Sequence, residues 1–200
     1  MFVHLRLHTD FSVVDGTTRV ADAVRAAAAD GQPALAITDL SNLFGAIKFY
    51  RAARRAGVKP LLGAELFVRG LGSEDATRVV ALAQDHQGYL HLSQLLALAW
   101  TEGVDKGQAS VHWDWLCERT EGLILLSGEQ AGPLGVPLLQ GNTERADALA
   151  IELAQRFPHR FYLELQRAGR KDDEAHVNAA VQLAARLKLP VVATHPVQFL

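Results

Sequence analysis

One cysteine, Cys117, is all the chain contains, and a single thiol excludes an internal disulfide framework. No apolar run reaches the roughly 20 residues that cross a bilayer as a helix. The opening Met-Phe-Val-His has neither the basic nor the apolar region of a secretory signal. The expectation is a cytoplasmic protein with no membrane contact. An excess of basic charge is missing too: 20 Lys and Arg stand against 22 Asp and Glu, for a formal net charge of −2. That balance argues against a chain whose main task is gripping nucleic-acid phosphates through a basic face, and leaves any nucleic-acid role indirect or local. A phosphate-cradling glycine loop and a nucleophile-His-acid signature are both absent. So are repeats and low-complexity tracts, apart from the alanine run Ala26 to Ala29.

What the chain does have is apolar residue, 49% of its 200 positions, enough for a full core in one domain or two. Short β-rich runs alternate with longer helical stretches, which predicts an α/β architecture with parallel strands. Strands are expected over Phe2 to Leu7, Ala34 to Thr38, Leu61 to Val68, Arg78 to Ala83, Leu123 to Leu126, Phe161 to Leu165 and Val191 to Ala193. Helices are expected over Val20 to Ala29, Gly45 to Ala56, Gly88 to Trp100, Glu144 to Arg156 and Asp172 to Leu187. Gly31 and Gly57 stop the first two, and Pro33, Pro60 and Pro190 stand just before strands. Arg69 to Thr77 and Glu102 to Ser110 read as loops, and Trp113 to Cys117 as a short packed helix. His8, Asp39, Glu65, Ser127, Glu164 and His195 all fall at or near the C-terminal end of an expected strand, where barrels and open α/β sheets build their sites. That placement argues for a shared pocket, although strand-to-helix loops are polar in any case.

The most informative segment is the first, His4-Leu-Arg-Leu-His-Thr-Asp-Phe-Ser-Val-Val-Asp-Gly16. A strand end delivering His8, Asp10 and Asp15 could begin a metal site, since imidazole and carboxylate are accepted metal ligands. Arg6, however, lies one side-chain period before His8 on the same strand face, where its permanent cation repels a metal. This segment is followed by Pro33-Ala-Leu-Ala-Ile-Thr-Asp-Leu-Ser-Asn-Leu-Phe-Gly-Ala-Ile-Lys-Phe-Tyr50, Gly57-Val-Lys-Pro-Leu-Leu-Gly-Ala-Glu65, Gly122-Leu-Ile-Leu-Leu-Ser-Gly128, Phe161-Tyr-Leu-Glu-Leu-Gln166 and Leu189-Pro-Val-Val-Ala-Thr194. In order and spacing these runs resemble the polymerase-and-histidinol-phosphatase (PHP) domain that opens the alpha subunit of bacterial DNA polymerase III, over essentially all of the chain. The wording from Asp39 to Tyr50 resembles the replicative type more than its error-prone relatives.

The resemblance implies a distorted (β/α)7 barrel of the TIM-like kind, with a metal-rich pocket at the C-terminal strand ends. It also implies that the domain runs on past residue 200, so that closing elements are missing. In metal-binding members the first strand supplies a His-x-His pair, which falls here on Arg6 and His8, followed by an aspartate at Asp15. A histidine follows the second strand's aspartate where Leu40 follows Asp39, and the third strand's glutamate is kept as Glu65. The next histidine falls on Arg78, a cysteine on Glu129, and a final Asp-x-His pair on Pro196 and Gln198. Only His8, Asp15 and Glu65 keep their identity, while Arg6 and Arg78 bring two fixed cations into the place of metal ligands.

Each of these residues also has a plain structural reading. His8 fits a strand-end imidazole bonded to its loop, Asp15 before Gly16 a turn, and Asp39 a loop anchor or helix cap. Arg6 and Glu65 are expected to pair across the former metal site. The arginines of Tyr50 to Arg55 read first as a solvated helix face, and second as a contact for DNA or a partner. The resemblance implies that the segment is a non-catalytic scaffold supporting the polymerase and docking its proofreading exonuclease subunit among other holoenzyme subunits. DNA contact and the magnesium of polymerisation would belong to other domains, with no cofactor in this segment. The rival expectation is a metal-dependent phosphoesterase or pyrophosphatase, with His8, Asp15, Glu65 and Glu129 as ligands and Arg6 and Arg78 holding phosphate.

Overall fold

The computed structural model describes residues 2–73 and 75–199. After a single 3-10 turn at Asp10–Ser12 come α1 (Val20–Ala29), β1 (Ala34–Ile37), α2 (Ala46–Arg55), β2 (Lys59–Arg69), β3 (Thr77–Ala83) and α3 (His86–Thr101). The chain continues through β4 (Val104–Asp105), β5 (Gln108–His112), α4 (Trp113–Cys117), β6 (Leu123–Leu126) and a second 3-10 turn at Glu129–Ala131. It ends with α5 (Gly135–Leu139), α6 (Thr143–Arg156), β7 (Phe161–Leu165), α7 (Asp173–Leu187) and β8 (Val191–Ala193). No helix among the described residues is long and apolar enough to cross a membrane.

The strands form one curved sheet in the order β4-β5-β2-β3-β6-β7-β8, with β1 also paired to β2. β2 is long enough to serve two neighbours on one edge: Lys59 to Leu62 pair with β1 and Phe67 to Arg69 with β5, while β3 lines its other edge. Alternation along β2 sets the two faces. Ala64, Leu66 and Val68 join the main apolar core beneath the helices, whereas Leu61 and Glu65 face inward. A second core under α1 and α2 gathers Val20, Val24, Leu35, Ile37 and Phe49, and a small third one of Ala36, Val80, Leu82 and Leu126 fills the barrel interior.

Three expectations need correction. The sheet is mixed rather than parallel, because β3 runs antiparallel to both β2 and β6. The link from Gly70 to Ala76 is too short for the dozen or so residues of a parallel crossover, so β3 has to return as a hairpin partner. That reversal carries Arg78, near the start of β3, to the end of the barrel where the other strands finish. Secondly, Glu102 to Ser110 is not a loop but contains the β4-β5 hairpin, whose turn residues Lys106 and Gly107 both have positive φ, at 50° and 81°. Thirdly, Phe2 to Leu7 forms no strand. The segment runs between β1 and the tail after β8 and divides its bonds between them: His4 and Leu7 carbonyls accept from Ala36 and Thr38, and the His8 N–H donates to Val197. The Thr38 hydroxyl takes the Leu7 N–H, so no regular ladder develops. The result is a distorted TIM-like barrel whose strand ladder stays open at the N-terminal segment.

Candidate functional site

The strand ends converge on a small cavity of about 40 Å³ lined by Arg6, His8, Glu65, Arg78, Glu129, Arg170, Pro196 and Gln198, among others. Arg6 occupies its centre. Its Nη2 donates to Glu65 Oε1 at 2.5 Å and its Nη1 stands 3.5 Å from both oxygens of Glu164, so one guanidinium spans two walls of the barrel. Arg6 is 7% exposed, Glu65 1% and Glu164 0%. His8 forms the next link: Nδ1 lies 2.9 Å from Asp15, and Nε2 lies 2.7 Å from Glu65 Oε2 but too far out of line for a hydrogen bond. Arg78 reaches Glu65 at 3.7 Å from over the Phe67 ring, Arg170 holds Glu129 at 3.1 Å, and Gln198 donates to Asp15 at 3.4 Å.

Local sequence explains these positions. Glu164 sits in β7 beneath Gly128, whose left-handed backbone (φ 78°) aims its N–H at the carboxylate from 2.9 Å, while Thr194 donates its hydroxyl at 2.8 Å from just past β8. A Cβ on Gly128 would stand 1.7 Å from the Arg78 carbonyl oxygen, so only glycine fits there. Ser127, the residue before it, accepts the Glu164 N–H.

Burial and pairing set the charges. Burial by itself would push the Glu65 carboxyl up, but the close approach of the His8 ring and the charges of Arg6, His8 and Arg78 pull it down to about 2. Burial works against a charged His8, yet Glu65 and Asp15 on either side raise it above its ordinary value. Arg6 is likewise opposed by burial and held above its ordinary value by Glu164 and Glu65. Glu129 is raised, mainly because it is buried.

Of the residues singled out from the sequence, the structure brings Arg6, His8, Asp15, Glu65, Arg78, Glu129, Pro196 and Gln198 to this one place. Asp39 and Leu40 lie outside it. Asp39 accepts from the Thr9 N–H, the Thr9 hydroxyl and the Ser12 hydroxyl, and so fastens the first loop to the end of β1; α2 starts after Gly45 with no side-chain cap. Leu40 bridges to Glu65 through its backbone and turns its side chain into a neighbouring groove. His195 is exposed and stands near His4, away from the cavity. The pocket's missed members are Glu164 as the second partner of Arg6, and Arg170. The first was legible only as a strand-end carboxylate and the second carried no signal.

The resemblance read from the sequence implies a metal site in this position, and the donors present do not fit that use. Asp15, His8 and Glu65 form a chain in which each is engaged with the next, and Arg6 stands at hydrogen-bonding distance in the middle of it. Among the described residues no three His, Cys, Asp or Glu side chains are grouped so that they could hold a metal ion. Three buried atoms of the cavity lining are nevertheless without a hydrogen-bond partner among the described residues: His8 Nε2, Glu65 Oε2 and Glu129 Oε1.

Known proteins share the sequence and the fold of this chain. The chain is 44% identical over its whole length to the DNA polymerase III subunit alpha of Pseudomonas aeruginosa and 45% identical to that of Escherichia coli K12, and it spans 17% of the length of each. Two solved structures share the fold at 16% identity. One is described as a metal-dependent phosphoesterase from Bifidobacterium adolescentis (TM-score 0.64), the other as an amidohydrolase from Chromobacterium violaceum with bound sulfate and no metal (TM-score 0.63). Each match covers 98% of this chain and 87% of the other. The PHP domain model matches residues 4–168, and the chain therefore belongs to the PHP domain family.

Proposed function

We propose that this chain is the PHP segment of a bacterial replicative DNA polymerase III alpha subunit, and that it serves as a non-catalytic scaffold. It would support the polymerase and dock the proofreading exonuclease subunit within the holoenzyme. The observation that carries this reading is the Arg6 guanidinium between two fully buried carboxylates, Glu65 and Glu164. A fixed cation there supplies the charge compensation a divalent ion would give and repels such an ion. Addition of deoxynucleotides, with its magnesium and its grip on DNA, would lie in the rest of the polymerase, in keeping with the near-balanced charge of these residues.

A second reading, a metal-dependent phosphoesterase, is favoured by the three unpartnered buried atoms and by Arg78 and Arg170, partly exposed at the cavity where they could meet phosphate. Elemental analysis of the full-length polymerase, purified without chelators, separates the two. Less than one zinc, manganese or iron per chain and no hydrolysis of p-nitrophenyl phosphate are expected; two or more tightly held ions per chain would sink the scaffold reading. Docking is tested by mixing the purified exonuclease subunit with the polymerase and with a folded polymerase lacking these residues. Equal binding to both would remove that part of the proposal.

A further inference from the structure

The outer face of α2 is unlike the rest of the molecule. From Leu40 to Ala64 the chain has no Asp or Glu, although the whole chain carries a net charge of −2. Within that stretch α2 presents Lys48, Arg51, Arg54 and Arg55, all exposed, and none of the four forms an ion pair among the described residues. Eight of the other arginines do find carboxylates, among them Arg25, Arg69, Arg119 and Arg186 on the surface. Large apolar side chains share the face. Phe44, in the turn just before α2, is 70% exposed and Ile47 59%, and helical spacing places Ile47 alongside Arg51 and Arg54.

Beside Phe44 lies Trp100 of α3, 51% exposed, with its indole N–H held to the Ser41 carbonyl at 2.7 Å. The two rings line both a groove of about 390 Å³, shared with Val13 and Val14, and a groove of about 360 Å³ along α3, shared with Leu96. An indole that is fixed by a hydrogen bond yet left half in water is a pre-ordered anchor of the kind that dominates protein interfaces.

We propose that this face binds an acidic amphipathic protein segment, whose apolar side chains enter the Phe44–Trp100 grooves while its carboxylates meet Lys48, Arg51, Arg54 and Arg55. Charge complementarity sets the sign of the partner. The aliphatic part of the lining, Val13, Val14, Leu40 and Leu96, favours protein over nucleic acid, because bases stack on aromatic faces whereas aliphatic grooves are filled by apolar side chains. The inference goes beyond the scaffold reading and does not depend on which subunit supplies the segment.

The test uses the full-length polymerase and a fluorescein-labelled synthetic helix of about 18 residues, with Leu on one face and Glu on the other. Two variants change only exposed residues: Arg51→Glu with Arg54→Glu, and Phe44→Ser with Ile47→Ser. Fluorescence anisotropy should show binding that weakens with salt and falls at least about tenfold in each variant, with unchanged far-UV circular dichroism. A single-stranded oligonucleotide of mixed sequence should bind all three proteins alike. Failure of the wild-type polymerase to bind the helix, affinity within about twofold of wild type in either variant, or loss of oligonucleotide rather than helix binding would each overturn the proposal.

Discussion

Arg6→Ala removes the cation on which the pocket is built, and its cost can be worked from the geometry. Among the described residues, Glu65 loses its only in-line side-chain hydrogen-bond donor, at 2.5 Å, and Glu164 its only cationic partner, at 3.5 Å. Glu164 keeps the Gly128 N–H and the Thr194 hydroxyl, whereas Glu65 keeps only the misaligned His8 and a distant Arg78. Holding the Glu65 carboxyl at about 2 instead of 4.5 corresponds to about 3 kcal/mol of stability at neutral pH. Arg6 shares that effect with His8 and Arg78 but also compensates Glu164, so a loss of about 3 kcal/mol is expected, in line with other broken buried pairs.

The pH dependence follows from the sign of the shift. Because the folded-state value of Glu65 is depressed, its contribution is complete above about pH 4.5 and is lost as pH falls toward 2. The Arg6→Ala deficit should accordingly be at its full size from pH 7 down to about pH 4.5 and shrink as pH falls from there toward 2. Replacing Glu65 by Gln in the same chain removes the stranded charge, and the double variant should recover roughly 2 kcal/mol. Urea unfolding followed by circular dichroism measures all three proteins. A deficit below about 1 kcal/mol, or a double variant no more stable than the single one, would refute the argument.

His8 has a raised pKa, so its contribution to stability is complete below about pH 6.5 and is lost as pH rises through the higher folded value; the gap between wild type and His8→Gln should narrow from pH 6 to pH 9 in the same unfolding assay. Asp39→Ala frees two Thr9 donors and one Ser12 donor at a buried site and should cost roughly 2–4 kcal/mol, with Asp39→Asn intermediate. Gly128→Ala forces a Cβ to within 1.7 Å of a carbonyl oxygen at φ 78°, and should yield a misfolded or strongly destabilised chain, read as a lowered thermal midpoint or loss of soluble protein.

How far these features could be read from residues alone depended on how local their causes are. α1, α2 and α7 were legible because apolar spacing and a terminal stop lie within each segment; α2, for example, buries Ala46, Phe49 and Ala53 and ends before Gly57. The direction of β3 was readable in principle from its short link but is obscured by the alternating α/β pattern around it. The β4-β5 hairpin offers two strands of two and five residues, too short for periodicity to register. In the pocket, the Arg6–Glu65 contact was foreseeable from two strand-end residues of opposite charge. Arg170 was not, because it reaches Glu129 from a loop held by Asp173, which accepts the backbone N–H groups of Ala168 and Arg170.

The open strand ladder and the charged pocket are connected. Residues 2–8 lie where a closed barrel needs a strand, yet they make only a few backbone bonds to β1 on one side and to Val197 on the other. What fastens them is side-chain charge: Arg6 to Glu65 of β2 and to Glu164 of β7, and His8 to Asp15 and Glu65. A lysine at position 6 would offer one compact charge, whereas the planar guanidinium presents separate N–H groups to two carboxylates on opposite walls. Glu164, in turn, accepts from Gly128 after β6 and from Thr194 after β8, so the network ties the ends of β2, β6, β7 and β8 to the N-terminal segment. Barrel closure here thus rests on buried ion pairs where the backbone ladder is sparse. That gives the carboxylates a structural reason to remain buried, independent of any chemistry they could perform.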